Sequence, residues 1–296
     1  MQSAAILRSP AKLNLVLDLL FKRSDGYHEV DFVIQELELH DTITLRPVST
    51  PNAISIACND PHVPTDEKNL AFKAAQVMQE AFSQKNNGQK APGVEITLDK
   101  KIPTAGGLGG GSSNGATVLK GLNQAWKLGL TSSELAQKAA VLGSDAPFFI
   151  YGGTCRAQGR GEKITPLKPC PLLFLTFIVP PVKVPANKTV WIYSHFRVEH
   201  VPAHPSIERM RAALKDENAV HVAQACANIF EYLDLPAYAP AFALIKELKS
   251  FPNVYNAFLA GAGPTICAAC EDARTAQHLA NHYSAKGLQA FITRTA

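Results

Sequence analysis

The sequence predicts a two-domain α+β protein, and three observations carry that reading. Strand-like and helix-like stretches are interleaved without the regular alternation that builds a doubly wound sheet. The 296 residues, set against roughly 150 per domain, suit one large or two ordinary domains. A composition 46% apolar and 18% charged, with mean hydropathy of -0.02, describes a folded chain able to bury sizeable cores.

The elements follow in order. Apolar residues mark strands in AAILRSP, LNLVLDLLF and ELELHDTITLRPV, the last with Leu37, Leu39, Ile43 and Leu45 at even spacings around an expected turn at His40-Asp41. Helical spacing runs from Glu67 to Gln84 and stops in SQKNNGQKAPG, after which VEITLDKKIP reads as a strand. Beyond a glycine cluster, Ser112 to Trp126 and Thr131 to Leu142 read as helices, the first opened by the cap-grade Ser112, Ser113 and Asn114. Strands return in GGTCRAQGRGEKITPL and PLLFLTFIV, and helices are expected around Pro205 to Leu214, Glu217 to Ile229 and Pro240 to Leu248. The chain closes with strands in YNAFLAGAG and TICAACE, a helix from Asp272 to Ala285 and a last strand, LQAFITR. A break near Tyr151 to Gly161 divides the chain into expected domains of residues 1–156 and 157–296.

Several classes of function are disfavoured at this level. A formal charge of +4, with no run of basic residues, points away from nucleic-acid and membrane surfaces and toward small anions. The longest apolar stretch, Leu172 to Val179, falls far short of the ~20 residues a spanning helix needs. Arg8 and Lys12 interrupt what a secretory signal would keep apolar, so a cytoplasmic protein is expected, with its 6 cysteines as thiols. Cys267-x-x-Cys270 lacks a second pair, and His278 and His282 lack the Glu of a zinc helix; no protein metal site is expected.

The richest segment is KKIPTAGGLGGGSSNGATVLKGLN, Lys100 to Asn123. Glycines at 106, 107, 109, 110 and 111 let backbone N–H groups approach a ligand, and the helix that follows points its positive end at them. This is the outline of a phosphate cradle. Gly106 and Gly111 have Walker A spacing, but Ser112-Ser113 stands where Lys-Ser is required, and neither glycine triplet completes a Rossmann pattern.

IPTAGGLGGGSS is similar to the second motif of the GHMP kinases, the small-molecule kinases of galactose, homoserine, mevalonate and phosphomevalonate. SPAKLNL (Ser9 to Leu15) resembles their first motif and AGAGPT (Ala260 to Thr265) their third, in the same order and spanning nearly the whole chain. DGYHEVD (Asp25 to Asp31), GLGGGSSN and LGSDAPFF (Leu142 to Phe149) resemble one branch of that family. Its members phosphorylate the 2-hydroxyl of a cytidine-diphosphate-linked methylerythritol in non-mevalonate isoprenoid precursor synthesis. The GEH-type first motif of galactokinase and mevalonate kinase is absent.

The resemblance implies a two-domain α+β architecture with the active site in a cleft between the domains. It implies ATP bound along Pro103, Thr104, Ala105, Gly106, Gly107, Leu108, Gly109, Gly110, Gly111, Ser112 and Ser113, with Asn69 and Lys100 nearby. Mg²⁺ is expected on the ATP phosphates, with Ser112 or Ser113 as the candidate protein hydroxyl. Lys12 and Asp145 are implied to flank the acceptor hydroxyl, Asp145 as the proton acceptor and Lys12 as the cation the glycine loop lacks. Asn14, Tyr27, His28 and Thr265 are implied on the acceptor side, Tyr27 and His28 at the cytosine. Read alone, Lys12 is a solvated strand residue, Asp145 a turn cap and Gly-Tyr-His a turn; the ordered motifs reverse those readings.

Two alternatives stand beside this one: another kinase of the family, such as homoserine kinase, and a nucleotide-binding protein without turnover. A monomer or weak homodimer acting on small molecules is expected. The sequence departs from the family in VPPVKVPANKTVWIY, where Pro185-Ala186 replaces a Ser-Thr or Pro-Thr step and Asn187-Lys188 looks inserted. There Trp191 and Tyr193 are both candidates for a second aromatic at the base. Ser144, Ala260, Ala262 and Ile229 are smaller departures.

Overall fold

The computed structural model describes residues 4–104, 106–183, 185 and 188–296; Ala105, expected at the nucleotide, lies outside the described residues, as do Ala186 and Asn187. The chain runs through β1 (Ala5–Lys22), β2 (His28–Val48), β3 (Ile54–Cys58), α1 (Leu70–Lys85), β4 (Gly93–Asp99), α2 (Gly110–Ala125), α3 (Ser132–Ala140), α4 (Phe148–Tyr151), β5 (Thr154–Gly159) and β6 (Lys163–Pro166). It continues through β7 (Phe174–Val179), α5 (Lys188–His195), α6 (Ile207–Lys215), α7 (Ala219–Ala225), β8 (Ala227–Asn228), α8 (Ala239–Lys249), β9 (Val254–Leu259), β10 (Ile266–Cys270), α9 (Ala273–Ala285) and β11 (Gln289–Arg294). The α+β class read from the sequence is the class observed.

Two compact units result. The first takes in the described residues up to Ala11, Leu39–Thr104 and Gly109–Gly152. In it β4 pairs antiparallel with β2, from Thr42 opposite Asp99 to Val48 opposite Gly93, and parallel with β3. Alternation fixes this register: Ile43 and Leu45 of β2 are buried, as are Val94, Ile96 and Leu98 of β4. Helix α1 buries Ala71, Ala74, Ala75, Met78 and Ala81, a stripe at helical spacing that packs against α2. Thr131 and Glu134 close a capping box at the start of α3.

The second unit comprises Lys12–Glu38, 106–108 and the described residues of Gly153–Ala296. Its antiparallel sheet has the order β11-β7-β10-β9, and the apolar run at Leu172 to Val179 becomes β7, with Leu175, Phe177 and Ile178 buried. Helix α9, capped by Asp272, packs on β7 and β11, while α8 packs on β9. Residues Val30–Gln35 of β2 pair with β5, β5 forms a hairpin with β6, and Val16-Leu17 of β1 lie parallel to β8. Phe230, Tyr238, Leu248, Leu259, Ile266 and Tyr283 lie within one buried cluster of this unit.

The structure corrects four local expectations. His40-Asp41 is not a turn, because β2 is continuous and Asp41, fully buried, has its oxygens satisfied by tertiary donors. Helix α2 starts at Gly110 rather than at Ser112: Gly109, at φ +72°, takes the N-cap position, and the three cap-grade residues fall inside the first turns. The helix expected from Glu217 to Ile229 ends at Ala225, giving way to β8 and a 3₁₀ turn at Ile229–Tyr232. Helix α5 stands in a stretch read only as a Pro-rich wall. Cys267 and Cys270 are buried in β10, and burial raises both thiols, that of Cys270 to about 11, which suits packing rather than thiolate chemistry.

Candidate active site

In the first unit, the glycine segment is held from beneath by a buried polar network. Asp41 accepts from the amides of Lys101 (2.7 Å) and Ile102 (2.9 Å), from Asn114 Nδ2 (2.9 Å) and from the Lys100 ammonium. Lys100 Nζ also donates to Asn114 Oδ1 at 2.9 Å, and Asn114 Nδ2 to Ser9 Oγ at 2.9 Å. Ser9 and Ser113 share a hydroxyl hydrogen bond of 2.8 Å. Residues of the first motif, the second motif and β2 thus fix the first turn of α2. Gly111 stays exposed and Ser112 half-buried, at a helix end whose leading amides have no intrahelical acceptor.

The residues expected near the nucleotide divide accordingly. Lys100 is buried on Asp41, and Ser113 is committed to Ser9. Asn69 caps α1, its Oδ1 accepting from Ala71 N at 2.9 Å and its Nδ2 donating to Pro64 O at 2.6 Å. Thr104 donates to Asp60 Oδ2 at 3.0 Å; that carboxyl is held below its usual range first by the His62 amide and then by Thr104. Each therefore shapes the segment, whatever ligand contact it also makes. Asp145 lies half-buried in the turn before α4, where Ala146 N donates to Gly143 O at 3.2 Å.

In the second unit the three motifs converge. Lys12 N donates to Leu108 O at 2.9 Å, joining first motif to second. A Cβ on Gly107, whose φ is +79°, would lie 2.7 Å from Ala260 O; one on Gly261 would lie 3.2 Å from Gly107 O, 3.6 Å from Lys12 Nζ and 3.7 Å from Asn14 Oδ1. Glycine is required at both positions for the second and third motifs to touch. Lys12 Nζ donates to Asn14 Oδ1 at 2.6 Å, and both side chains are buried.

The third-motif loop is pinned through its carbonyls. Asn228 Nδ2 donates to Gly261 O (2.7 Å), the Tyr238 hydroxyl to Ala262 O (2.8 Å) and the Lys188 ammonium to Gly263 O. Thr265 is 1% exposed, and its hydroxyl has no hydrogen-bond partner among the described residues. A buried hydroxyl without a hydrogen-bond partner is costly in the free protein.

Of the residues expected at the acceptor, Tyr27 is 54% exposed, and the Arg160 guanidinium lies 4.9 Å from the centre of its ring. His28 sits edge-on to Tyr193, centroids 5.3 Å apart, and Tyr193 in turn meets Phe230 at 5.2 Å. Burial, then the charge of Lys22, pushes the His28 imidazole below 6.5, so it is neutral at pH 7 and offers one donor and one acceptor. Of the two aromatics left open, Tyr193 is the one beside His28, whereas Trp191 packs near Tyr238. Lys188 and Arg160 escaped the sequence reading. The first stands in the variable Pro-rich stretch and the second in the Gly159-Arg160-Gly161 corner, and neither carried a motif.

Comparison with known proteins matches this arrangement to one family. The model of the GHMP kinases N terminal domain matches residues 69–153. A 4-diphosphocytidyl-2-C-methyl-D-erythritol kinase of Geobacillus thermodenitrificans is 40% identical, over 88% of this chain and 86% of its own. One from Pelotomaculum thermopropionicum is 38% identical over 96% of each chain. A crystal structure of a 4-(cytidine 5'-diphospho)-2C-methyl-D-erythritol kinase superposes with TM-score 0.75 at 29% identity, covering 99% of this chain and 100% of that one. A homoserine kinase from Cytophaga hutchinsonii, at 18% identity and TM-score 0.69, covering 100% of this chain and 95% of its own, shares the fold. The chain belongs to the 4-diphosphocytidyl-2-C-methyl-D-erythritol kinase family of the GHMP kinases.

Proposed function

We propose that the protein transfers the γ-phosphoryl group of ATP to the 2-hydroxyl of 4-diphosphocytidyl-2-C-methyl-D-erythritol, releasing ADP, in non-mevalonate isoprenoid precursor synthesis. The observation that carries this is the convergence of Lys12 and Asn14, Gly107 and Leu108, and Ala260 and Gly261. Family membership supplies the acceptor.

In this reading the segment from Pro103 to Ser113 lies along the ATP phosphates, with Gly111 and Ser112 at the leading end of α2 donating backbone N–H groups to them. Asp145 accepts the proton of the acceptor hydroxyl as its oxygen attacks. Lys12, oriented by Asn14, offsets the charge spread over the transferring oxygens, the part a Walker lysine plays elsewhere. Thr265 donates its orphaned hydroxyl to a ligand oxygen. Tyr27 offers its ring to the cytosine, and neutral His28, braced by Tyr193, reads the base edge.

Mg²⁺ fits as an ion carried by ATP. The Ser112 side chain is half-buried at the helix start, where its hydroxyl is the candidate protein ligand. The ion supplies charge compensation on the phosphates. The protein acts as a monomer or weak homodimer on small molecules in the cytoplasm, without nucleic acid or membrane; among the described residues no helix is long and apolar enough to cross a bilayer.

An ADP-release assay with the cytidine-diphosphate methylerythritol, homoserine and mevalonate acceptors side by side tests this reading. Turnover confined to the first is expected. Preference for homoserine supports the other family kinase, and no turnover with any of them supports a binding protein.

A further inference from the structure

The third-motif loop meets the second motif at Gly107 and Gly261, backbone against backbone, with no side chain on either to interlock. Gly261 and Gly263 hold φ of +58° and +59°, and glycine has the most conformational freedom of any residue. The hydrogen bonds on the peptide groups of the loop therefore fix its place.

Asn228 supplies two of these bonds: its Nδ2 donates to Leu259 O at 2.8 Å and to Gly261 O at 2.7 Å. The residue is buried, so both donors are spent away from water. Because a peptide unit is planar, holding the Gly261 carbonyl also sets the direction of the Ala262 amide. Glu231, in the turn that follows Asn228, accepts from Leu259 N at 3.3 Å. The backbone of Asn228 lies in β8, opposite Leu17 of β1, the strand that carries Lys12 and Asn14. A single side chain thus ties the loop to the strand bearing the cation assigned to the transferring phosphoryl group.

The oxygen of the same amide serves a different neighbour. Asn228 Oδ1 accepts from Phe230 N at 3.0 Å and caps the 3₁₀ turn at Ile229–Tyr232. Phe230 is fully buried and stands edge-on to Tyr193, which meets His28. The amide N–H groups therefore hold the loop, while the amide oxygen holds the turn that backs the Tyr193–His28 pair.

Resting on the kinase reading above, we propose that Asn228 is a positioning residue for phosphoryl transfer, holding the Ala260–Thr265 loop against Gly107 through its N–H groups and the aromatic support of His28 through its oxygen. It acts through Gly261 and Phe230.

Asn228→Asp separates the two ends. The carboxyl group has nearly the same shape and keeps an acceptor for Phe230 N, but it turns an oxygen toward the Leu259 and Gly261 carbonyls. Single-turnover transfer at saturating ligands should slow about 10- to 100-fold, the scale of a misplaced reacting geometry, with acceptor affinity within about threefold of wild type. Phe230→Leu should do the reverse: acceptor affinity falls about fivefold, the scale of one aromatic pair, and transfer at saturation stays within about twofold. Asn228→Ala removes both ends and should show both defects. Amide hydrogen exchange in the full chain should quicken in the loop of Asn228→Asp while α9 keeps its protection.

A folded Asn228→Asp protein that transfers phosphate at the wild-type rate overturns the proposal. So does the same loss of rate and affinity in Asn228→Asp and Phe230→Leu, or faster exchange in α9 as well as the loop, either of which marks a general packing defect. Should Asn228→Asp fail to fold, Asn228→Ala is set against Phe230→Leu, and transfer must slow in the first only. If the wild type prefers homoserine, the acceptor reading fails, and the same transfer rate measured with homoserine still decides whether Asn228 positions the loop.

Discussion

Removing the Asp41 carboxylate should loosen the glycine segment from below. Asp41 is fully buried, and its two oxygens take the amides of Lys101 and Ile102, the Asn114 side chain and the Lys100 ammonium, itself only 8% exposed. Asp41→Ala leaves that ammonium buried without its carboxylate, a change that costs about 3–5 kcal/mol in comparable pairs. The two amides lose acceptors as well, so the upper end of the range is expected. Asp41→Asn keeps an acceptor for the amides but sets an NH₂ against the donors of Lys100 and Asn114, and about 2 kcal/mol should be lost. The chain has 2 tryptophans: Trp126 closes α2 in the first unit, and Trp191 lies in the second. In a Trp191→Phe background, denaturant unfolding followed by Trp126 fluorescence reports the first unit. Because Asn114 lies in the first turns of α2, the KM for ATP should rise more than the KM for the acceptor. Adding Lys100→Met to Asp41→Ala should restore part of the loss, since the unpaired charge is gone. A loss below about 1 kcal/mol in Asp41→Ala, or a double variant worse than the sum of the singles, refutes the network as the support of the loop.

Other consequences are equally measurable. Thr265→Val deletes a buried hydroxyl that has no partner among the described residues, so thermal unfolding should show a gain of about 1 kcal/mol while kcat/KM falls about tenfold; loss of stability contradicts the assignment. Tyr27→Ala should raise the acceptor KM by about one stacking interaction, ~1–3 kcal/mol, and leave ATP affinity unchanged; an equal effect on homoserine turnover assigns the ring elsewhere. Lys188, pushed down to about 8 from 10.5, is protonated in the unfolded chain but not in the folded protein between those values, so stability should rise with pH across that window. Relative to Lys188→Met the rise should approach ~3 kcal/mol, because each tenfold loss of proton affinity on folding is worth ~1.4 kcal/mol. A flat difference between pH 8 and 10.5 contradicts the burial of a charged lysine.

The motif residues were legible because their chemistry is local. Five glycines between Gly106 and Gly111, and Gly261-x-Gly263, are positions where backbone must approach backbone, and the observed contacts of Gly107 and Gly261 are of that kind. Alternation and helical spacing likewise placed β7, β9, β10 and α1 close to where they stand. Residues whose meaning depends on distant partners were not legible. Asp41 has turn propensity, and only Lys100, Lys101, Ile102 and Asn114, some sixty or more residues away, turn it into a buried acceptor. Ser112, Ser113 and Asn114 look like caps, but Gly109 alone accepts the left-handed backbone that starts α2, which moved the helix forward. Pro180, Pro181 and Pro185 masked α5, and with it the cation at Lys188 and the choice of Tyr193 over Trp191.

Asp145 is the residue on which the proposed chemistry turns, and one rate measures it. Single-turnover transfer of the γ-phosphoryl group to the cytidine-diphosphate methylerythritol, at saturating ATP and acceptor, should slow more than ~10²-fold in Asp145→Asn, with the affinities for both ligands kept. A folded Asp145→Asn protein that transfers phosphate at the wild-type rate contradicts the account.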